Sequence, residues 1–119
     1  MRRILSFVLC VTLLLTLTAC GSSAPKSGVE DGVLTIAMEC AYAPYNWAQK
    51  DDSNGAVPIS NAPGSYANGY DVMIAKKIAE ANGWELEIVQ SDWDSLVPGV
   101  QTGLFDAVIA GQSMTADRA

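Results

Sequence analysis

The sequence contains no histidine. That excludes a Cys/His nucleophile pair and histidine-based zinc binding. Cysteine is scarce as well: Cys10, Cys20 and Cys40 are too few for a disulfide-stapled small domain. Positive charge is sparse and scattered. Beyond residue 19 the basic residues are Lys26, Lys50, Lys76, Lys77 and Arg118, which form no stripe. No nucleic acid is therefore expected as a partner. A second long apolar run is missing, which excludes a multi-pass membrane protein. There is no phosphate-binding glycine loop, so the expectation is a protein with no cofactor, no metal and no catalytic residue of its own.

What is present divides in two. Residues 1–19 hold Arg2 and Arg3, no acid, and 13 apolar residues. The other 100 residues carry 5 basic and 13 acidic side chains, so the net charge of −6 for the whole becomes −8 for the body. A body of this size buries roughly two-thirds of its unfolded surface, enough for one modest core.

The run from Ile4 to Ala19 is 16 residues long, interrupted only by hydroxyl side chains. A spanning helix needs about 20, so the run suits the apolar part of a secretory signal better. It ends Leu17-Thr18-Ala19-Cys20, which resembles the bacterial lipobox. In that reading residues 1–19 are a lipoprotein signal peptide and the Cys20 thiol is lipidated. The segment Gly21 to Gly28 is small, polar and unable to pack a core, so residues 20–32 read as anchor and tether. A lipid on Cys20 would hold the body against the outer face of the cytoplasmic membrane, extracellular or periplasmic.

In the body, Val33 to Met38 reads as a buried strand and Glu39 to Trp47 as an aromatic loop broken by Pro44. Residues 49–69 are dense in Asp, Asn, Ser, Gly and Pro and read as a surface excursion, with a short edge strand near Val57 and Ile59. Gly69-Tyr70-Asp71 opens a helix that Asp71 would cap, with Val72, Ala75, Ile78 and Ala79 on one stripe and a stop at Asn82-Gly83. Trp84 to Gln90 alternates as a strand. A short helix over 95–102 follows, limited by Pro98. Phe105 to Ala110 reads as a third strand, and Thr115 to Arg118 as the start of a third helix. Strands alternating with helices predict an α/β fold with parallel strands and right-handed crossovers. Cys40 reads as a small, half-buried apolar residue at a strand end.

In such sheets ligands bind at the carboxyl ends of strands, where the winding reverses. If the second and third main strands flank the first, the loops there are 39–47 and 111–118. They offer aromatic walls, hydroxyls at Ser113 and Thr115, and the Arg118 guanidinium, a set suited to a small zwitterion or carboxylate. The turn at 91–93 adds Trp93.

These residues resemble a known family, the extracellular solute-binding proteins of ABC importers, in their polar amino-acid group (family 3). The resemblance rests on Leu34-Thr35-Ile36-Ala37, Tyr42-Ala43-Pro44-Tyr45, Gly69-Tyr70-Asp71-Val72, Ser91 through Pro98, Gly103 through Gly111, and Thr115-Ala116-Asp117-Arg118. It covers most of residues 33 to 118. Met73 departs from it, since the family usually has an acid there. The resemblance implies a type II periplasmic-binding-protein-like fold, of which residues 33–119 would form only the first portion of lobe one. It implies that Tyr42 and Trp93 sandwich the ligand, Arg118 takes its α-carboxylate, and Ser113 and Gly111 contact its polar head. Glu39 would meet a basic ligand side chain. The implied function is capture of a polar amino acid and delivery to an ABC permease, without catalysis, and residues 33–119 alone are expected to bind weakly. The competing readings are the input domain of a membrane receptor and a dehydratase-like enzyme on the same scaffold. Glu85 and Glu87 are expected to be an exposed strand face.

Overall fold

Six consecutive residues, Val33–Met38, form the strand around which everything else is arranged. The structure is a computed structural model that describes residues 28–118; the expected signal peptide at 1–19, the expected lipidation site Cys20 and the part of the expected 20–32 tether before Gly28 lie outside the described residues. After one helical turn at Gly28–Asp31 the elements are β1 (Val33–Met38), β2 (Ala41–Tyr42), β3 (Asn46–Gln49), β4 (Val57–Pro58), β5 (Tyr66–Asn68), α1 (Tyr70–Asn82), β6 (Glu85–Gln90), α2 (Trp93–Gln101) and β7 (Ala107–Val108), then a single 3-10 turn at Ala116–Arg118.

β1 pairs in parallel with β6 along its whole length, from Val33 opposite Glu85 to Met38 opposite Gln90. On its other edge it pairs in parallel with β7 through Ile36 and Ala37. The sheet order is β6-β1-β7, so the winding does reverse between β1 and β7. α1 and α2 supply Val72, Ala75, Ala79 and Leu96 to the core, where they join Ile36, Met38 and Ile88. Each large apolar side chain so buried contributes roughly 1.5–3 kcal/mol. Ile78 is 39% exposed and lies at the rim of the α1 stripe.

Residues 39–69 build a second, antiparallel sheet in the order β2-β3-β5-β4. The stretch read as an aromatic loop is thus a tight hairpin: Ala41 pairs with Trp47 and Tyr42 with Asn46. The edge strand near Val57 is present as β4, antiparallel to β5. Ile59 then bridges to Ile88, and the Ser60 amide donates to the Ile88 carbonyl at 2.9 Å, which ties the two sheets together.

Several boundaries differ from the sequence reading, each for a local reason. Asp71 does not cap α1; the helix follows Gly69, with no side-chain cap. The first amides are satisfied by the hairpin turn, Tyr70 N–H to the Pro44 carbonyl at 3.1 Å and Asp71 N–H to Tyr45 at 2.9 Å. The third strand is two residues long rather than six. Asp106 shortens it, because its carboxylate accepts the Thr35 amide at 2.8 Å in place of a strand carbonyl. α2 begins at Trp93, two residues early, and holds Pro98 within its nine residues. The missing amide of Pro98 leaves only the carbonyl of exposed Asp94 without its helix partner, which a short surface helix tolerates. The third helix start is a 3-10 turn.

Candidate ligand-binding site

Three chain segments leave the sheet side by side at its carboxyl end: 39–42 after β1, 91–93 after β6 and 109–113 after β7. Glu39 and Tyr42 come from the first, Trp93 from the second, Gly111 and Ser113 from the third. All five line one open depression of about 470 Å³. The rings are available to it, Tyr42 being 49% and Trp93 38% exposed. The backbone of Arg118 ends the 3-10 turn, while its side chain lies outside the described ones.

Gly111 explains how the third segment fits. Its φ is 62°, and a Cβ there would lie 3.1 Å from the Tyr42 ring and 3.2 Å from that of Tyr45. Only glycine combines a left-handed backbone with that approach at no cost. Tyr42 and Tyr45 are themselves stacked, with centroids 5.1 Å apart and an interplanar angle of 26°.

Two further depressions adjoin the first. One, of about 430 Å³, shares Glu39 and continues to Gln90, Ser91 and Asp92. The other, of about 520 Å³, shares Tyr42, Gly111 and Ser113 and continues to Tyr45, Tyr70, Asp71 and Gln112. Sequence reasoning missed Tyr70, Asp71 and Gln112. Tyr70 and Asp71 were read as a helix start and as part of a family motif, and Gln112 lay in the 111–118 loop with no role of its own.

A polar network supports the hairpin that carries Tyr42. Asn46 is fully buried; its Nδ2 donates to Asp71 Oδ2 at 2.8 Å and its Oδ1 accepts the Cys40 amide at 2.8 Å. Every hydrogen-bonding atom of that amide side chain thus joins β1's end to α1's start. Cys40 has a φ of 56°, an uncommon conformation for a side-chain-bearing residue, and the Asn46 bond helps hold it. It is fully buried at 4% exposure rather than half-buried, and burial pushes its thiol up to about 11. Such a thiol is a poor nucleophile. Among the described residues no group of three or more Cys, Asp or Glu is arranged to hold a metal.

The chain is similar over 98–99% of its length to two curated proteins. One is the arginine-binding extracellular protein ArtP of Bacillus subtilis, at 28% identity; the other is the cyclohexadienyl dehydratase of Pseudomonas aeruginosa, at 25%. It spans only 41% and 39% of their respective lengths. Among solved structures it aligns with the arginine-bound form of domain 1 of TmArgBP (T. maritima), at 31% identity and a TM-score of 0.57. That alignment covers 73% of this chain and 59% of that one. The fold is accordingly the α/β fold of the type II periplasmic binding proteins. The model of the bacterial extracellular solute-binding proteins, family 3, matches residues 34–119, and the chain belongs to that family.

Proposed function

We propose that the chain is the substrate-capturing component of an ABC importer for a polar amino acid, and that it hands its ligand to a membrane permease. The observation that carries this reading is the convergence of Glu39, Tyr42, Trp93, Gly111 and Ser113 on one depression at the carboxyl ends of β1 and β7. In this reading Tyr42 and Trp93 cover the two sides of the ligand, Ser113 and the Gly111 backbone take its polar head, and Arg118 grips its carboxylate. Residues 1–19 direct export, Cys20 carries a lipid, residues 20–32 tether, and residues 33–119 form part of the first lobe outside the cytoplasmic membrane.

The arginine-bound domain 1 of TmArgBP supports ligand capture by a single lobe in that protein. Residues 21–119 tested by themselves place no second lobe over the ligand, so their affinity is expected in the millimolar range, about −4 kcal/mol. Tryptophan fluorescence and calorimetry of residues 21–119 against a panel of L-amino acids test this. The expected outcome is weak, saturable binding that Tyr42→Ala and Trp93→Ala remove. Micromolar affinity would overturn the weak-binding clause. Binding indifferent to both substitutions would overturn the site. Recovery of a dehydrated product would replace the transport reading with the dehydratase one, whereas a capture protein returns its ligand unchanged.

A further inference from the structure

Asn54, Asn68 and Asn82 are each followed by glycine. That dipeptide carries a chemistry of its own. The glycine nitrogen can attack the asparagine Cγ and close a succinimide ring, because glycine has no Cβ to obstruct the approach and its backbone turns freely. In the sequence the three pairs are equivalent; in the fold they are not.

At Asn68 both reacting groups are held. The side chain is 8% exposed, and its Nδ2 donates to Gln49 Oε1 at 3.1 Å. Its Oδ1 accepts the Gly69 amide at 2.8 Å. Gly69 also lies against the Tyr45 carbonyl so closely that even a Cβ would overlap it, so this peptide has no room to swing. At Asn82 both groups are held again. Nδ2 donates to the Ile78 carbonyl at 2.8 Å, and the Gly83 amide closes the end of α1 on Ala79 and Glu80. Ring closure there would undo the helix cap.

Asn54 is exposed, and among the described residues its side chain hydrogen-bonds to nothing. Its φ is 55°, an uncommon conformation for a residue with a side chain, so the backbone gives up little by leaving it. The turn is closed by the Ala56 amide on the Ser53 carbonyl at 3.3 Å, and Lys76 Nζ donates to the Gly55 carbonyl at 2.9 Å. Neither of these bonds uses the Asn54 carboxamide or the Gly55 nitrogen.

We propose that Asn54 is a site of spontaneous covalent modification, at which the folded chain deamidates while the same dipeptide at 68–69 and 82–83 is protected. The Gly55 N–Cγ bond of residue 54 forms and its Cγ–Nδ2 bond breaks. Nδ2 leaves as ammonia, taking the proton of the Gly55 amide. Water then opens the ring at one carbonyl or the other, which gives aspartate or isoaspartate. Either product adds a negative charge to the loop that Lys76 already holds. Isoaspartate also inserts a methylene into the main chain beside Ser53, whose carbonyl accepts from Gln49 at 3.0 Å and Asn68 at 3.5 Å. The change is thereby felt in the antiparallel sheet. None of the residues lining the ligand depression takes part, so the proposal stands or falls apart from the amino-acid reading.

The test incubates the full chain at neutral pH, in maltoside micelles and, separately, in guanidinium chloride. Trypsin then yields peptide 51–76 with Asn54 and Asn68, and peptide 78–118 with Asn82. Mass spectrometry follows the replacement of NH2 by OH in each, and fragmentation assigns it to one asparagine. In denaturant the three rates should agree within about threefold. In micelles Asn54 should keep most of its rate, and Asn68 and Asn82 should fall at least about tenfold below it. Comparable rates at the three pairs in micelles, a faster rate at Asn68 or Asn82, or a slowing of Asn54 as large as theirs would each overturn the proposal.

Discussion

The two sheets are held together by different chemistry. Around β1 the cohesion is apolar: Ile36, Met38, Ile88, Leu96 and Val72 are all nearly or fully buried. In the β2–β5 sheet the connections are polar side chains. Asn46 reaches Asp71 and Cys40, Asn68 reaches Gln49, and Gln49 reaches Asp51 and Ser53. Apolar contact is non-directional and tolerates repacking, whereas a hydrogen bond needs a partner in one place. The sheet that supports the fold is therefore the forgiving one, and the sheet that aims Tyr42 is the exacting one.

Paired substitutions of similar shape should expose this difference most strongly. Asn46→Leu keeps the branching and heavy-atom count of the side chain but strands Asp71 and the Cys40 amide, and should cost about 4 kcal/mol in urea unfolding. Ile36→Leu at the heart of the parallel sheet should cost less than about 1.5 kcal/mol. Similar costs for the two would break the comparison.

Next in size is the pH response of Cys40, where the two sheets meet. Its thiol is raised from 9.0 to about 11 in the folded chain. The unfolded chain loses that proton first, so this contribution is complete below pH 9 and is lost as pH rises through about 11. It amounts to roughly 2–3 kcal/mol. Unfolding free energies at neutral pH and above pH 10 should fall further apart in the unaltered chain than in Cys40→Ala. Equal pH slopes would mean that the thiol is hydrated.

The smallest effect is expected at Glu85, exposed at the start of β6. Glu85→Gln should change stability by less than about 0.5 kcal/mol and leave ligand binding alone. A loss of binding would give the strand face a role that neither sheet accounts for.

The same contrast decides what could be read from the sequence. β1 was legible to the residue, because Val33-Leu34-Thr35-Ile36-Ala37-Met38 is an unbroken run for a strand covered on both faces. The α1 stop at Gly83 was legible too, with its φ of 71°. The parallel direction of the strands followed from the alternation of elements, whereas their order, posed only as a condition, came from the structure. The β2–β3 hairpin was not legible, since its strands are two and four residues long and Asn46, a turn former by composition, is its buried anchor. Asp71 looked like a helix cap because it precedes an apolar stripe. Its real partner, Asn46, stands 25 positions away, and a distance of that kind leaves no periodic trace. At the site, the five gathered residues came from motifs in three loops, whereas Tyr70 and Gln112 needed the fold to bring them in.

The central place of β1 has a consequence for how the chain is made. The strand at the middle of the parallel sheet is synthesised first, and its partners follow 52 and 71 positions later. Through that interval both edges of an apolar strand stay open to any other extended chain. Glu30 and Asp31 before it and Glu39 after it bracket the strand with like charge. Two nascent copies would have to bring those carboxylates together before they could pair, so the acids guard the strand until β6 and β7 arrive to cover it.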